Sequence, residues 1–326
     1  MTCLLAVDSG GTKCEALLTN ESGRILGFGR SDYTNRLGER NFAGLGRAEA
    51  TVEEAISLAL SDISGIDTLH VCGRLPVDRS RLSAVASSIE VHDVHERDAP
   101  LALVGTDTGI VVLAGTGAFV FGRNRDGQEL HLDGIGPVYG DHGSAYQIGL
   151  AAIRASGRAD WSPRFQTSLQ SVIPIACRAL AGNPAELDMV AYLVEPRDRS
   201  EIGSLAKLVD YEAMKGDAIA KQILFDAADD IFDTIQCVIE RLNLAHEELP
   251  LIGAGGVATG SLFFWDRIID RTITLAPQLK PTLADSPQVC GLILAMAQQV
   301  GIASQEFRSK IIRGYGQALF GISNHG

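Results

Sequence analysis

The sequence predicts an α/β protein built from two related domains, and three observations support this fold class. An extended apolar segment ends in Asp8 and is followed by a glycine-rich turn at residues 9–13. The same strand, turn and strand pattern returns at residues 111–121. The chain has 326 residues, of which 46% are hydrophobic, and this is enough to build two cores. We therefore expect two halves of similar topology, each with one glycine-rich hairpin.

The two copies of this pattern align at a constant offset of 104 residues. Each copy predicts a strand, a Gly-Thr turn, a second strand, an Asn-x-Ser/Asp-Gly turn and a third strand. The second copy has Val112 at the position of Asp8, so only the first hairpin carries an acid. The asymmetry indicates one hairpin on a metal side and one on a phosphate side. The matched pairs are Gly11 and Gly115, Thr12 and Thr116, Asn20 and Asn124, Gly23 and Gly127, and Leu26 and Leu130.

The first hairpin has the residue types that bind phosphate groups. Its glycines, Gly10 and Gly11, adopt conformations that let backbone N–H groups close on an anion. Thr12 and Lys13 add a hydroxyl group and a positive charge, and Asp8 is placed to hold a cation or its water. For this segment alone, the alternative is an ordinary hairpin turn.

Charge and cysteine usage restrict the functional class. The net charge is −12 and no run of lysine or arginine occurs, which argues against a nucleic-acid partner. The six cysteines are scattered singly, so we expect neither a zinc or iron–sulfur site nor a disulfide framework. No apolar leader or membrane-length apolar run is present in the sequence. We expect a cytoplasmic protein without a membrane partner.

Apolar spacing and turn residues predict the remaining elements. In the first half we expect helices at 43–62, 79–88 and 99–104, strands at 68–72 and 89–91, and an acidic loop at 92–98. In the second half we expect helices at 145–154, 164–181, 186–194, 201–215, 218–242, 261–269 and 287–300, and a strand at 249–252. The expected domains are 1–106 and 107–302, with a helical tail at 303–326 packing back on the first.

A second glycine-rich segment surrounds Asp141. Four glycines fall within ten residues, from Gly134 to Gly143, and a helix is expected to follow. Such a loop favours close approach to a ligand. The alternative is an ordinary long connection. Tyr139 and Tyr146 are interpreted as packing residues.

Four segments together resemble the sugar-kinase, actin and heat-shock-70 ATPase superfamily. They are residues 8–13, 115–117, 140–146 and 253–257, and they occur in the expected order. The match is nearest to the N-acetylglucosamine kinase branch, which also contains activator ATPases of benzoyl-CoA reductase and hydroxyacyl-CoA dehydratases. The resemblance implies two ribonuclease-H-like, actin-like ATPase domains with a cleft between them. It also implies ATP and Mg²⁺ as cofactors, a small sugar substrate and a homodimer.

The resemblance also implies roles for individual residues. Asp8 orders Mg²⁺ through water, and Asp98 accepts the proton of the sugar hydroxyl group. Asp93 competes for that base role. The phosphate groups are bound by Gly10, Gly11, Thr12, Lys13, Gly115, Thr116 and Gly117. The sugar is bound by Asn35, Asp98, Gly134, Ile135, Gly136 and Asp141, and the adenosine by Ala213, Gly255, Gly256 and Gly260.

Four residues depart from the pattern of the branch, all on the expected sugar side: Arg74, Ala118, His142 and Gln147. The expected activity is ATP-dependent phosphorylation of an amino sugar, and one with an acidic group could pair with Arg74 or His142. The alternative is an ATPase that regulates or activates a partner protein. The chain lacks a cysteine pair suited to an iron–sulfur cluster, which argues against the redox form of that alternative.

Overall fold

The computed structural model describes residues 1–32, 45–180, 199–284 and 286–322. The chain divides into two compact units, one formed by Met1–Asp107 with Asp285–Gly326 and the other by Thr108–Ala284. Asn35 and the predicted helix at 186–194 lie outside the described residues. In the part of the chain described, no helix has the length and apolar character needed to cross a membrane.

The described residues form strands and helices in an order that alternates between the two types. The strands are β1 (Thr2–Ser9), β2 (Lys13–Asn20), β3 (Ile25–Asp32), β4 (Ile66–Gly73), β5 (Ala86–Val91), β6 (Gly109–Ala114), β7 (Ala118–Arg123), β8 (Glu129–Asp133), β9 (Pro250–Ala254) and β10 (Lys280–Leu283). The helices are α1 (Leu45–Ala59), α2 (Ser80–Val85), α3 (Asp98–Val104), α4 (Ala145–Trp161), α5 (Leu169–Leu180), α6 (Arg199–Ser204), α7 (Ala206–Met214), α8 (Ala218–Arg241), α9 (Gly255–Ala258), α10 (Leu262–Leu275), α11 (Gln288–Gln299) and α12 (Gln305–Ile322).

The two units contain sheets of the same topology. The first sheet has the order β3-β2-β1-β4-β5 and the second has the order β10-β9-β6-β7-β8. In each sheet the first three strands of the unit form an antiparallel meander. The remaining two strands run parallel to the first strand. The predicted α/β class and the repeat of two related halves are therefore confirmed.

The second turn of each repeat shows the correspondence at the level of single hydrogen bonds. The side-chain oxygen of Asn20 accepts hydrogen bonds from the N–H groups of Ser22 and Arg24. The equivalent oxygen of Asn124 accepts from the N–H groups of Asp126 and Gln128. The glycines that follow, Gly23 and Gly127, have φ of 81° and 77°. The Asn and Gly of each repeat are thus retained because the turn needs a side-chain acceptor and a left-handed residue.

The core of the first unit lies on both faces of β1. This strand is apolar and buried from Cys3 to Val7, as a central strand covered on two faces must be. Helix α1 covers one face through Val52, Ala55 and Ile56. Helix α11 covers the other face, where the Sγ atom of Cys72 lies 3.7 Å from the carbonyl oxygen of Leu292.

Several elements differ from the sequence-based expectation. The predicted helix at 79–88 ends at Val85, because residues from Ala86 onward pair in parallel with β4. The edge strand β10 was not predicted, and the predicted helix at 201–215 is divided into α6 and α7. The predicted second domain extended to residue 302, whereas α11 belongs to the first unit, since its apolar residues pack against β1, β4 and α3.

The contact of α11 with α3 generates a prediction for Gly291→Ala. A Cβ atom at Gly291 would lie 2.4 Å from the carbonyl oxygen of Ala99, so the two helices would have to separate. We expect the free energy of unfolding of the first unit to fall by about 1–3 kcal/mol. The control is Gly316→Ala in α12, where nothing lies within 4 Å of the added atom. That change should stabilise the helix by about 0.5–1 kcal/mol. Urea unfolding of both variants tests this, and equal effects would contradict it.

Candidate active site

The turn between β1 and β2 leaves its backbone open to solvent at Gly11 and Thr12. The N–H group of Gly10 closes the turn on the carbonyl oxygen of Lys13, at 3.0 Å. The Lys13 ammonium group lies 2.5 Å from the buried carboxylate of Glu15. The turn can therefore present N–H groups to an anion, while its lysine is held against a neighbouring acid.

Glu15, which the sequence did not single out, anchors this hairpin. Its Oε1 atom accepts a hydrogen bond of 2.9 Å from the hydroxyl group of Tyr315 in α12. The guanidinium group of Arg30 lies 3.5 Å from the same atom. A buried carboxylate needs such partners, because burial removes its hydration. The C-terminal helix thus supports the hairpin through this contact.

Asp8 stands at the end of β1, half-buried and opposite Glu15 in the strand register. Burial raises the pKa of Asp8 to about 7, and the negative charges of Glu96 and Glu15 contribute to the rise. Lys13 opposes it. Since a cation would relieve the repulsion among these carboxylates, the group fits a hard divalent cation such as Mg²⁺. The sequence placed Glu96 in the acidic loop at 92–98 and indicated no role for it.

The two candidates for the base differ in their surroundings. Asp98 is the first residue of α3 and is half-buried. Its Oδ2 atom accepts a hydrogen bond of 2.9 Å from the N–H group of His95. The Asp93 side chain is 90% exposed, and its Oδ1 atom lies 3.0 Å from the Nε2 atom of His95. Asp98 is therefore the carboxylate with a fixed position, which supports its choice over Asp93.

The second hairpin, between β6 and β7, is tied to the start of α4. The N–H group of Gly115 donates to the carbonyl oxygen of Gly117, at 2.9 Å. The carbonyl oxygen of Gly115 in turn accepts from the N–H group of Ala145, at 2.8 Å. Thr116 lies half-buried between the two glycines. A Cβ atom at Gly117 would lie 3.2 Å from an Asp141 carboxylate oxygen, so this glycine admits the acid beside the turn.

The predicted adenosine glycines lie around the same hairpin. Gly255 has φ of 85°, and a Cβ atom there would lie 2.5 Å from the carbonyl oxygen of Ala114. Nothing lies within 4 Å of a Cβ atom at Gly256, so the space next to this glycine is unfilled. A Cβ atom at Gly260 would lie 2.6 Å from the carbonyl oxygen of Gly256. The structure thus brings Gly115, Gly255, Gly256 and Gly260 together, whereas the methyl group of Ala213 is buried in the core.

Asp141 is held by the second unit and is buried despite its charge. Its φ of 57° places it in the left-handed region. One carboxylate oxygen lies 3.5 Å from the backbone nitrogen of Ala118, and the other pairs with Arg199. Arg199, which sequence reasoning missed, follows a long stretch without a recognisable motif. The preceding loop carries Gly134 and Gly136, both with positive φ, and exposes the side chain of Ile135.

Asp133 organises that loop, although the sequence analysis did not identify it. Its carboxylate accepts hydrogen bonds from the N–H groups of Gly134, Asp141 and His142, at 2.6–2.9 Å. Burial alone would raise the pKa of Asp133, but these bonds and the ring of His142 outweigh it and hold the pKa below its usual value. The Asp-Gly pair at residues 133 and 134 is the sequence signal that could have revealed this turn.

The four departures from the family pattern have different surroundings. The His142 ring lies 2.9 Å from Asp133, and the Gln147 amide donates to the carbonyl oxygen of Pro137, also at 2.9 Å. Both therefore stabilise the loop. Ala118 is buried, while Arg74 is exposed after β4. Tyr139, interpreted as a packing residue, is instead 82% exposed, so that interpretation was wrong.

Comparison with known proteins places this fold and these segments in a family. The BadF/BadG/BcrA/BcrD ATPase family matches residues 5–273. An N-acetylmuramic acid/N-acetylglucosamine kinase of Clostridium acetobutylicum is 26% identical over 283 residues, which are 82% of this chain and 89% of that protein. An N-acetyl-D-glucosamine kinase of Dictyostelium discoideum is 28% identical over 277 residues, 77% and 84% of the two chains.

A solved structure shows the same fold. The crystal structure of a candidate N-acetylglucosamine kinase from Chromobacterium violaceum superposes with a TM-score of 0.63 at 18% identity. The alignment covers 90% of this chain and 98% of that one. The predicted fold class, with two ribonuclease-H-like domains of the actin-like ATPase type, is confirmed by this likeness and by the two sheets of common topology.

The surroundings of Asp8 generate a prediction of pH-dependent stability. Since the folded pKa of Asp8 is raised to about 7, the protein loses stability as pH rises from the unfolded value of 3.8 through 7. In chelator-treated protein, we expect Asp8→Asn to raise the free energy of unfolding at pH 8 by a few kcal/mol, given about 1.4 kcal/mol per pK unit, and by less at pH 5. Urea unfolding at both pH values measures this.

The control for that experiment is Asp93→Asn, because the side chain of Asp93 is 90% exposed. It should leave the free energy of unfolding nearly unchanged at both pH values. If Asp8→Asn gave the same small change at pH 8 and pH 5, a raised pKa at Asp8 would be excluded.

Proposed function

Because the chain belongs to the BadF/BadG/BcrA/BcrD ATPase family, we propose that it is an ATP-dependent kinase of an amino sugar. The substrate is a sugar of the N-acetylglucosamine or glucosamine type, and the reaction phosphorylates one of its hydroxyl groups. The observation that carries the proposal is that two curated relatives, matched over more than four fifths of their length, are named as such kinases. Both glycine hairpins and a fixed carboxylate at Asp98 are present as this reaction requires.

The described residues supply what phosphoryl transfer needs. That reaction depends mainly on alignment of the reactants and on neutralisation of charge. We assign the N–H groups of residues 10–12 and 115–117 to the phosphate groups of ATP. Asp8 would hold Mg²⁺ through water, and the bound ion would supply positive charge to the phosphate groups. Gly255, Gly256 and Gly260 leave space for the adenosine, and the assignment of Ala213 to that pocket stays a prediction.

Asp98 acts as the general base in this proposal. Its carboxylate is already oriented by the N–H group of His95, and it accepts the proton of the attacking sugar hydroxyl group. Asp141, Gly134, Ile135 and Gly136 contact the sugar. Asn35 is assigned to the sugar by the family resemblance alone. The rigid anchoring of the loop by Asp133 supports a binding role, since it fixes the loop before any ligand arrives.

A second candidate is an ATPase that activates a partner protein, because the family description names ATPases rather than kinases. A redox activator would need cysteines able to hold a cluster. Five of the six cysteines are buried, and burial raises the pKa of Cys14, Cys72 and Cys290 to about 12. Thiols of this kind are poor ligands, since metal binding needs the thiolate. This disfavours the redox form of the candidate.

The cellular location and the assembly are also part of the proposal. The six free thiols are consistent with a reducing compartment, and we place the protein in the cytoplasm. A homodimer stays a prediction from the family resemblance. Neither assignment affects the proposed reaction.

Release of ADP with and without sugar distinguishes the two functions. We expect ADP formation to depend on N-acetylglucosamine or a related amino sugar, and Asp98→Asn to lower kcat by about 10²–10⁴-fold with nearly unchanged nucleotide affinity. Asp93→Asn is the matched control and should retain activity. Full ADP release without sugar would refute the kinase. Equal losses in the two variants would refute the assignment of the base to Asp98.

Arg74 generates a prediction about the acceptor. His142 is engaged by Asp133, whereas the side chain of Arg74 is exposed and could pair with the carboxylate of N-acetylmuramic acid. We expect Arg74→Gln to lower kcat/KM for N-acetylmuramic acid by about 10-fold, the loss expected for one charged hydrogen bond, and to spare N-acetylglucosamine. Arg79→Gln, an exposed arginine after the same strand, is the control. Equal changes for both sugars would contradict the pairing.

A further inference from the structure

Two histidines and a glutamate converge on one face of the first sheet, at its parallel edge. His70 in β4 lies directly opposite Glu90 in β5 in the strand register. His92 follows two residues after Glu90, and its N–H group donates to the carbonyl oxygen of Val71, which continues the pairing. Because side chains alternate along a strand, Glu90 and His92 project to the same side. One ligand atom from each of the three residues lies within 4.8 Å of the others.

The distances among these atoms are close to those around a tetrahedral metal ion. The His70 Nδ1 atom lies 2.9 Å from His92 Nε2 and 3.3 Å from Glu90 Oε2. With metal–ligand bonds of about 2.0–2.1 Å, ligand atoms in a tetrahedron are separated by about 3.3–3.4 Å. The His70–Glu90 distance already has this value. The His92 Nε2 atom would have to move away from His70 Nδ1 by about 0.4 Å to reach the same separation.

The three side chains differ in how far they are covered by the rest of the unit. The His70 side chain is only 13% exposed, whereas Glu90 is more than half exposed. The side chain of Gln299, at the end of α11, also lies within hydrogen-bonding reach of His92. A metal-binding histidine commonly has such a further polar contact, which orients its ring.

We propose that His70, Glu90 and His92 bind a divalent transition-metal ion of the Zn²⁺ type, with water in the remaining position. Imidazole nitrogens select Zn²⁺ over Mg²⁺, which prefers oxygen ligands, and two histidines with one glutamate form a known zinc-binding set. The site is separate from Asp8, so it does not depend on the proposed kinase activity. Bound metal would link β4, β5 and the segment that follows His92. That segment leads to Asp98, so the ion would also stiffen the approach to the candidate base.

Zinc titration of the full-length chain, previously treated with a chelator, tests the site. The zinc titration uses competition with a chromophoric zinc chelator in the presence of excess Mg²⁺, which tests whether the site prefers zinc. It should reveal one tight zinc site per chain. We expect Glu90→Gln to weaken binding by at least about 10-fold and His92→Gln to weaken it more. His95→Gln, an exposed histidine three residues further on, is the matched control and should bind as the wild type does. Asp8→Asn should also bind zinc normally.

Two further measurements on the wild-type chain still test the site if a variant is destabilised. Co²⁺ added to the wild-type chain should give the visible absorption of a tetrahedral site, and Glu90→Gln should diminish it. Zinc should slow hydrogen exchange at residues 89–98 of the wild type but not of Glu90→Gln. The proposal is overturned if the wild type does not bind one zinc ion per chain. It is also overturned if His95→Gln loses binding as His92→Gln does.

Discussion

Both units depend on the close approach of a left-handed glycine to the main chain of their central strand. A Cβ atom at Gly73, which ends β4, would lie 2.0 Å from the carbonyl oxygen of Val7 in β1. A Cβ atom at Gly255, which follows β9, would lie 2.5 Å from that of Ala114 in β6. Both glycines have positive φ, at 82° and 85°. No other residue type fits there without strain, so these positions determine how the parallel strands leave each sheet.

The consequence is that each glycine hairpin lies beside the exit of a neighbouring parallel strand. In the first unit the N–H group of Arg74 bonds to Val7, next to Asp8. In the second unit, the unfilled space next to Gly256 lies beside Gly115. Main-chain groups thus gather at the carboxyl end of the central strands, where open α/β sheets bind ligands. Buried carboxylates then fix the surrounding loops, Glu15 through Tyr315 and Asp133 through three backbone N–H groups.

The sequence predicted the features that depend on local patterns. The repeat, both Asn-Gly turns and most helices follow from spacing and turn chemistry, which act within a few residues. It did not predict Glu15, Arg199 or the group around His70, because their partners are distant in the chain. The pairing of Arg199 with Asp141 spans 58 residues, and that of His70 with His92 spans 22. The strand at 89–91 was predicted, but the first residues of β5, 86–88, were assigned to the preceding helix, since pairing with β4 overrides local preference there.

The two hairpins differ in the length of the turn and in the charge that they carry. Four residues separate Ser9 from Cys14 in the first, and three separate Ala114 from Ala118 in the second. In the first, burial raises the pKa of Asp8 to about 7 and the charges of Glu96 and Glu15 add to the rise, so a cation there would relieve their repulsion. In the second, Val112 is fully buried and the nearby acid, Asp141, is already paired with Arg199. The first hairpin therefore presents carboxylates whose repulsion a cation would relieve. The second turns of the two repeats do share one geometry, because Gly23 and Gly127 both adopt positive φ, which other residue types reach only with strain. This requirement explains why those glycines match between the repeats, whereas Asp8 and Val112 differ.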